Sequence, residues 1–394
     1  MERLRFLTAG ESHGPELTVI VEGIPAGLAL PPEVINRELA RRQQGYGSGS
    51  RMKIEKDRVV ITSGLMAGET IGAPIAMRIK NRSHREWQGQ QIPPFTTPRP
   101  GHVDLCGTLK YGYRDIRPAL ERASARETAA RTAVGAVCRH FLSQFGVRVG
   151  GWVAAVGSVE ARLPEINGNN FQDRVEKTEN SDVRCPDPEA SEQIKSAIRE
   201  AKINGETLGG VIEIAAVGLP VGLGSYMHWD RKLDARLGGA LLSVQAIKGV
   251  EIGSAFENVR KQGTEVQDAI RMQDAELIRS TNRAGGLEGG VTNGNPLVLR
   301  AAMKPIATTL SSQPTVNLAA GEESPTQYER SDFCPVPRAV PVLESMTAFV
   351  LADALLEKLG GDSLDEIHPR FQALTQARLS EIHLDNTPHP WWPL

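Results

Sequence analysis

GLMAGETIGAPIAMR at residues 64–78 and GLEGGVTNGNPLVLR at residues 286–300 align without a gap, and seven of the fifteen positions are identical. A second echo precedes each of them: VEGIPAGL at 21–28 resembles AVGLPVGL at 216–223. Between these pieces each half carries a helical pattern, over 31–43 in the first and 231–247 in the second. The separation is too long for a solenoid and reads as an internally duplicated strand-helix-strand unit, covering about 17–80 and 210–302. The expected fold is therefore α/β of the α+β type. It is a single large domain with a duplicated β-α-β unit and two antiparallel sheets, with helices packed around and between them.

Outward from the first unit, a short strand at 3–8 runs into GESHG at 10–14. Its glycines let the backbone approach a ligand and present His13 beside Ser12. A helix from about Pro31 to Gly45 carries Arg41 and Arg42 in its last turn, with Arg51 and Lys53 in the loop beyond. Residues 79–98 hold three prolines and little periodicity, which predicts a lid-like loop with His84 and Trp87 as weaker candidates. Residues 157–190 are polar and motif-free and read as a peripheral strand-and-loop excursion, followed by a helix over 190–202.

The segment PRPGHVDLCGTLKYGYRDIRPALERASARETAAR at 98–131 gathers His102 and six arginines. Ser124 and Glu127 have the spacing of a capping box, and Val134, Val137, Phe141, Leu142 and Phe145 recur at helical intervals. This predicts a helix from near Ser124 to just before Gly146. Its N-terminus would attract an oxyanion, with Arg122 and Arg126 adding guanidinium forks; the plainer alternative is a solvated basic face.

Lys plus Arg number 45 and Asp plus Glu 47, for a net charge of -2, so there is no global field for nucleic acid or an anionic membrane. Four cysteines show no metal-ligand spacing, and the N-terminus has no secretory pattern; a soluble, reducing, cytoplasmic setting is expected. The longest apolar stretch, 339–356 within a helix over about 339–359, contains Glu344 and Asp353 and reads as too short to span a bilayer. Residues 1–360 are expected to form the catalytic domain and 361–394 a tail.

The chemical groups in glycine-flanked or proline-flanked loops are His13, His102, Lys304 and Asp332. No dinucleotide fingerprint, Walker loop, zinc-protease motif or nucleophile elbow accompanies them. Two imidazoles, the side chain whose unperturbed form changes charge near neutral pH, beside an arginine-rich pocket suit acid-assisted chemistry on a small polyanion. Two other classes compete: a metal-dependent phosphatase built on His13, His102 and Asp104, and a non-catalytic flavin- or phosphate-binding protein.

GESHG (10–14), RPGHVDL (99–105), ERASARETAAR (121–131), GLEGGVTNGNP (286–296), MKPIAT (303–308) and ERSD (329–332) occur together and in order. In this the chain resembles the chorismate synthase family, from about Leu4 to Leu356. The resemblance implies loss of phosphate from 5-enolpyruvylshikimate 3-phosphate in a redox-neutral anti-1,4-elimination to chorismate, the last step of the shikimate pathway. It also implies a requirement for reduced FMN, a homotetramer, and an external NADPH-linked reductant, since no reductase domain is attached. Carried over by position, His13 is similar to the acid at the leaving phosphate. His102 is similar to the group that protonates or holds reduced flavin near N1, and Asp332 with Ser12 to the pair that lets flavin N5 accept the C6 proton. Arg42, Arg51, Arg99, Arg126 and Arg330 match positions that hold the anionic groups of substrate and cofactor. Arg122, Ala123, Ser124, Gln245, Ala246, Gly289, Lys304, Pro305, Ile306, Ala307 and Thr308 match flavin-contacting positions, and no metal is implied. The chain departs from the family at Ser48, where an arginine is usual, and at Ala123, where a serine is usual.

Overall fold

Alternating apolar residues build the first sheet. Leu17, Val19 and Val21 on strand Glu16–Glu22 are buried opposite Ile79, Met77 and Ile75 on strand Ile75–Lys80. Strands Arg5–Ala9 and Val59–Ile61 close the two edges, and every pairing is antiparallel. The second sheet has the order Ile247–Ile252, Leu297–Met303, Gly210–Val217, Arg148–Val156, Val159–Glu160, again antiparallel throughout. Its inward rows include Ile212, Ile214 and Ala216 opposite Ala301, Leu299 and Leu297. The computed structural model describes residues 3–48, 55–329, 331–374, 377–389 and 391.

Helices fill the space between the sheets. Thr128–Ser143 packs on the first sheet and Val336–Leu359 on the second; Pro32–Gln43 and Leu233–Leu242 lie beside them, and one continuous core joins all of these elements. Helices Thr128–Ser143 and Val336–Leu359 come very close at Gly135, where an added Cβ would sit 2.1 Å from Ser345 Cβ. Val336–Leu359 is apolar on nearly every side and is buried along its length, as a helix enclosed by other elements must be. At 24 residues it is long and apolar enough to cross a bilayer, unlike the shorter span expected from 339–356, yet here it is the central helix of the fold.

The segments that align in sequence occupy matching places. Val21 pairs with Ile75 as Ala216 pairs with Leu297. Thr70 Oγ1 donates to Pro25 O (2.6 Å) and accepts from Leu28 N (3.0 Å); Thr292 Oγ1 donates to Pro220 O (2.7 Å) and accepts from Leu223 N (2.8 Å). A hydroxyl can do both at once, which explains a threonine in each turn. The second unit alone carries an insertion with a hairpin, Ile270–Gln273 and Glu276–Arg279, between its second strand and its turn.

Four sequence readings change. Residues 157–190 contain a helix, Phe171–Glu179, with Phe171, Arg174 and Thr178 on its buried face. The tail contains helix Leu364–Gln372, whose Leu364 and Ile367 join the main core. The lid segment contains a short 3-10 helix, Arg82–Glu86. The capping box does not close: helix Arg117–Ala123 ends at an extended Ser124, a 3-10 turn Ala125–Glu127 intervenes, and the long helix begins at Thr128. Ser124 Oγ accepts from Arg126 N, while Glu127 is drawn away to Thr8 and Arg131. Tertiary partners outcompete the local cap.

A buried charge network crosses the helix layer. Glu344 accepts from Arg41 and Arg139, both at 2.7 Å, and Arg41 also reaches Glu38 and Glu179. Burial opposes ionisation of Glu344, but the Arg41 and Arg139 guanidiniums hold its carboxyl below the ordinary carboxylate range. A depressed folded-state value means that its stabilisation is present above the ordinary value and is lost as pH falls through the depressed one. Glu344→Gln should cost about 1–3 kcal/mol in urea unfolding at pH 7, because it removes the buried charge on which Arg41 and Arg139 converge, although both keep Glu38. It should also make stability less sensitive to acid; a cost under about 1 kcal/mol would contradict this assignment.

Candidate active site

His13 sits in the loop joining the first two strands, and that loop is held from several sides. Asn81 Nδ2 donates to Glu11 O (3.1 Å) and Gly14 O (2.8 Å), and Ser12 N donates to Glu121 O (3.1 Å). Glu121 Oε2 accepts from His13 N (2.7 Å) and Oε1 lies 2.7 Å from His13 Nδ1. Trp87 stacks on the imidazole at 4.1 Å between ring centroids, and His84 Nδ1 is 2.9 Å from His13 O. The two weaker candidates of the lid segment are therefore packed directly on the histidine. Burial works against ionisation of Glu121, but hydrogen bonds from the His13 ring and amide hold it below the ordinary range.

Ser12 and Ser124 join this loop to a buried cationic group. Their hydroxyls are 3.0 Å apart, and Ser124 caps the turn that carries Arg126. Arg126 donates from Nε to Asn81 Oδ1 (2.6 Å), from Nη1 to both oxygens of Asp57 (2.7 and 2.8 Å), and from Nη2 to Lys80 O (3.3 Å). Each of its three nitrogens has a protein partner, so Arg126 ties the loop to Asn81 and Asp57. Arg42 differs: Nε donates to Thr128 Oγ1 and Nη2 to Ala125 O, both at 2.8 Å, but buried Nη1 has no hydrogen-bond partner among the described residues. Burial, Arg338 and Arg126 push Arg42 down to about 9 against the pull of Asp57 and Asp332, leaving it protonated at neutral pH. Asp332 accepts from Arg338 Nη1 (2.5 Å), and Arg338 Nε donates to Arg42 O, which brings Asp332 to this group.

His102 belongs to a tight cluster of its own. Its Nδ1 bonds Asp104 Oδ1, and Arg99 grips the same carboxylate from Nε (2.7 Å) and Nη2 (3.0 Å). Asp104 is fully buried; burial would raise it, yet its bonds to His102 and Arg99 hold it well below the usual range. Arg99 Nη1 donates to Thr308 Oγ1 (3.1 Å) and Lys304 Nζ to Gly101 O (2.8 Å), so the loop after strand Leu297–Met303 meets the histidine loop. Pro305, Ile306 and Ala307 run between them, with Ile306 O accepting from Thr207. Arg99 and Arg117 both lie over Phe95, and Arg117 also lies over Trp87, which links the two histidine clusters through one apolar contact.

On the far side of the 3-10 turn, an open depression is lined by Phe6, Leu7, Thr8, Arg122, Glu127, Arg131 and Gln245. Arg122 donates to Gly10 O and Thr8 O instead of reinforcing a helix N-terminus. Gln245 Oε1 is buried without a hydrogen-bond partner among the described residues. Ala246, at φ +66°, turns the chain so that its carbonyl accepts from Lys304 N (2.9 Å).

Most of the residues singled out in sequence are thus brought together around segment 99–128. Ala123 merely ends its helix. Arg51 and Arg330, with Lys53, lie outside the described residues. Gly289 is elsewhere. It sits in a hairpin turn beside Tyr226, and that hairpin bonds Gly222, which lies against Lys358 near the C-terminal end of the central helix. Arg338 is at the other end, and the helix rises about 30 Å between the two. His13 and His102 each take their own carboxylate, and among the described residues no group of three or more His, Cys, Asp or Glu side chains is placed to hold a metal. A cavity of about 690 Å³ lies over the outer face of the second sheet around Glu213, Glu251 and Arg300, away from this chemistry. Glu121, Asn81 and Asp57 were missed in the sequence. Only Glu121 had a local signal, as a carboxylate beside the arginines of the predicted helix start.

An anion beside Arg42 would offset the cost of burying it among other guanidiniums. Inorganic phosphate at a hundred times its dissociation constant should stabilise the protein by about 2.7 kcal/mol, read as a rise in melting temperature. Arg42→Gln should abolish the rise; an equal rise in both proteins would place phosphate elsewhere.

A chorismate synthase family model matches residues 4–356. The chorismate synthase of Trichlorobacter lovleyi is 51% identical over 381 residues, covering 92% of this chain and 96% of the relative. That of Aquifex aeolicus is 51% identical over 384 residues, covering 94% and 96%. A solved structure described as a crystal structure of chorismate synthase superposes with a TM-score of 0.78 at 46% identity, covering 94% of this chain and 97% of the other. Similarity of this extent, in sequence and in fold alike, establishes that the chain belongs to the chorismate synthase family.

Proposed function

We propose that this chain catalyses the anti-1,4-elimination of phosphate from 5-enolpyruvylshikimate 3-phosphate, giving chorismate, and that it requires bound reduced FMN. The observation that carries the reading is the connected set of contacts that joins two carboxylate-held imidazoles to a buried, incompletely bonded Arg42. Family membership supplies the substrate. The residues fit the cofactor: buried Gln245 Oε1 is an acceptor with no hydrogen-bond partner among the described residues, suited to a ring N–H, and Lys304 and Arg122 offer positive charge to a phosphate. Arg122, Ser124, Gln245, Ala246 and the run Lys304 to Thr308 would hold it. Reduced FMN, when bound, supplies electron density as phosphate departs and takes it back as the C6 hydrogen leaves.

His13 donates a proton to the leaving phosphate, which lowers the charge that must develop on it. His102, locked to Asp104, keeps a proton at the edge of the cofactor site. Asp332 and Ser12 flank the path of the C6 proton. Arg42, Arg99 and Arg126, with Arg51 and Arg330, grip the phosphate and carboxylates of the substrate, and the protein partners of Arg99 and Arg126 fix how those two guanidiniums are oriented. We also infer that the two strand-helix-strand units arose by internal duplication, which the matching Thr70 and Thr292 bonds support. Residues 1–360 then act as the catalytic domain. A cytoplasmic homotetramer supplied with reduced flavin by an NADPH-linked reductant completes the proposal and follows from the family resemblance.

The test is an anaerobic assay with chemically reduced FMN. Wild-type protein should form chorismate; His13→Ala should still bind FMN but turn over at least about tenfold more slowly. No chorismate from the wild type, or full turnover by His13→Ala, would refute the assignment concerned. At Ser48, whose hydroxyl donates to Gly45 O (2.5 Å), an arginine would add a cation near the substrate clamp. Ser48→Arg should therefore lower KM for the substrate, and an unchanged or higher KM would count against that placement.

A further inference from the structure

We propose that Glu121 is a positioning residue that sets the tautomer and orientation of His13, keeping hydrogen on Nδ1 and assigning proton exchange with substrate to Nε2. The inference rests on the reading of His13 as the acid, and it adds the group that makes that role possible.

The geometry is a two-point grip. One carboxylate takes the His13 side chain through Oε1 and the His13 main-chain amide through Oε2, each at 2.7 Å, and the carbonyl of the same residue takes Ser12 N. A single residue thereby fixes both where the loop lies and how its imidazole is rotated. Glu121 belongs to helix Arg117–Ala123, so the grip is anchored on regular structure. Trp87 closes one face of the imidazole at 4.1 Å, and Arg117 lies over the Trp87 ring at 5.4 Å. The ring cannot turn over without leaving that stack.

The tautomer follows from donor and acceptor counting. An ionised carboxylate only accepts, so Nδ1 facing it at 2.7 Å must carry the hydrogen. Burial opposes the ionised form of Glu121, but the two bonds from His13 and the nearby Arg117 outweigh it. When imidazolium passes its Nε2 proton to a phosphate oxygen, the neutral ring left behind already has hydrogen on Nδ1. No rearrangement is then needed before Nε2 takes a proton back from solvent. In a Ser-His-Asp triad, a carboxylate on the far nitrogen plays this part and its loss costs orders of magnitude in turnover.

A role confined to holding the loop predicts different results, and nitrogen NMR on histidine-labelled full-length protein separates the two. The His13 signals are assigned by their loss in His13→Asn. In neutral wild-type protein His13 Nδ1 should resonate as a protonated, pyrrole-type nitrogen and Nε2 as a pyridine-type one. In Glu121→Gln the amide donates to Nδ1 and the pattern should invert, with kcat at least about tenfold lower and KM changed by no more than about twofold. Glu121→Asp, which keeps the charge, should retain the wild-type pattern. An unprotonated Nδ1 in the wild type overturns the proposal whatever the variants do. So does a Glu121→Gln protein with unchanged turnover, or one whose turnover falls while the tautomer stays as in the wild type. The tautomer is read without turnover, so absence of chorismate formation by the wild type would sink the functional reading and leave this measurement to stand by itself.

Discussion

Enclosing the helix Val336–Leu359 between two sheets obliges the buried charged groups on it to find partners inside the protein. Unpaired charge in such a place is far costlier than any single contact is favourable. Glu344 is met by Arg41 and Arg139 from two neighbouring helices, and Asp353 by Arg3 N, Leu4 N and Arg236 from the chain start and the second unit. These pairs fix how the layers stack. The close approach at Gly135 then leaves Thr128–Ser143 no freedom to slide along its partner.

From this packing the site inherits its geometry. The C-terminal end of Pro32–Gln43 brings Arg42, the N-terminal end of the central helix brings Arg338 and with it Asp332, and the turn before Thr128 brings Ser124 and Arg126. Cations concentrate there because each has a specific carboxylate or carbonyl to hold it, and Arg42 keeps a buried Nη1 that makes no hydrogen bond to the described residues. The two histidines share a design, with Nδ1 on a carboxylate, but reach it differently. Asp104 is two residues from His102, whereas Glu121 comes to His13 from more than a hundred residues away.

Much of the fold was readable because its signals are local or periodic. Strand alternation at Leu17, Val19 and Val21, the prolines that open Pro32–Gln43 and the Asp187-capped helix Pro188–Ile203 all express backbone preferences that short peptides share. The failures have one cause. The Ser124 capping box has the right residues at the right spacing, but Glu127 gains more from Arg131 and Thr8 than from its own cap. Helix Phe171–Glu179 was hidden by its polarity, and its Glu179 is tied to Arg41 and Arg184 of the buried network.

The amino-acid sequence alone determined the two aligned segments, the order of most elements and the family to which the motifs belong, and it singled out the two histidines as candidates, since each is written in contiguous residues. Only the tertiary structure decided that Glu121 faces His13, that Arg42 Nη1 approaches Asp57 without a hydrogen bond while Arg126 bonds Asp57 through both oxygens, and that Gly289 lies at the opposite end of the central helix. Those facts depend on contacts between residues distant along the chain. No local spacing encodes them, because the competition among buried charges for partners is resolved only when all of them are packed together.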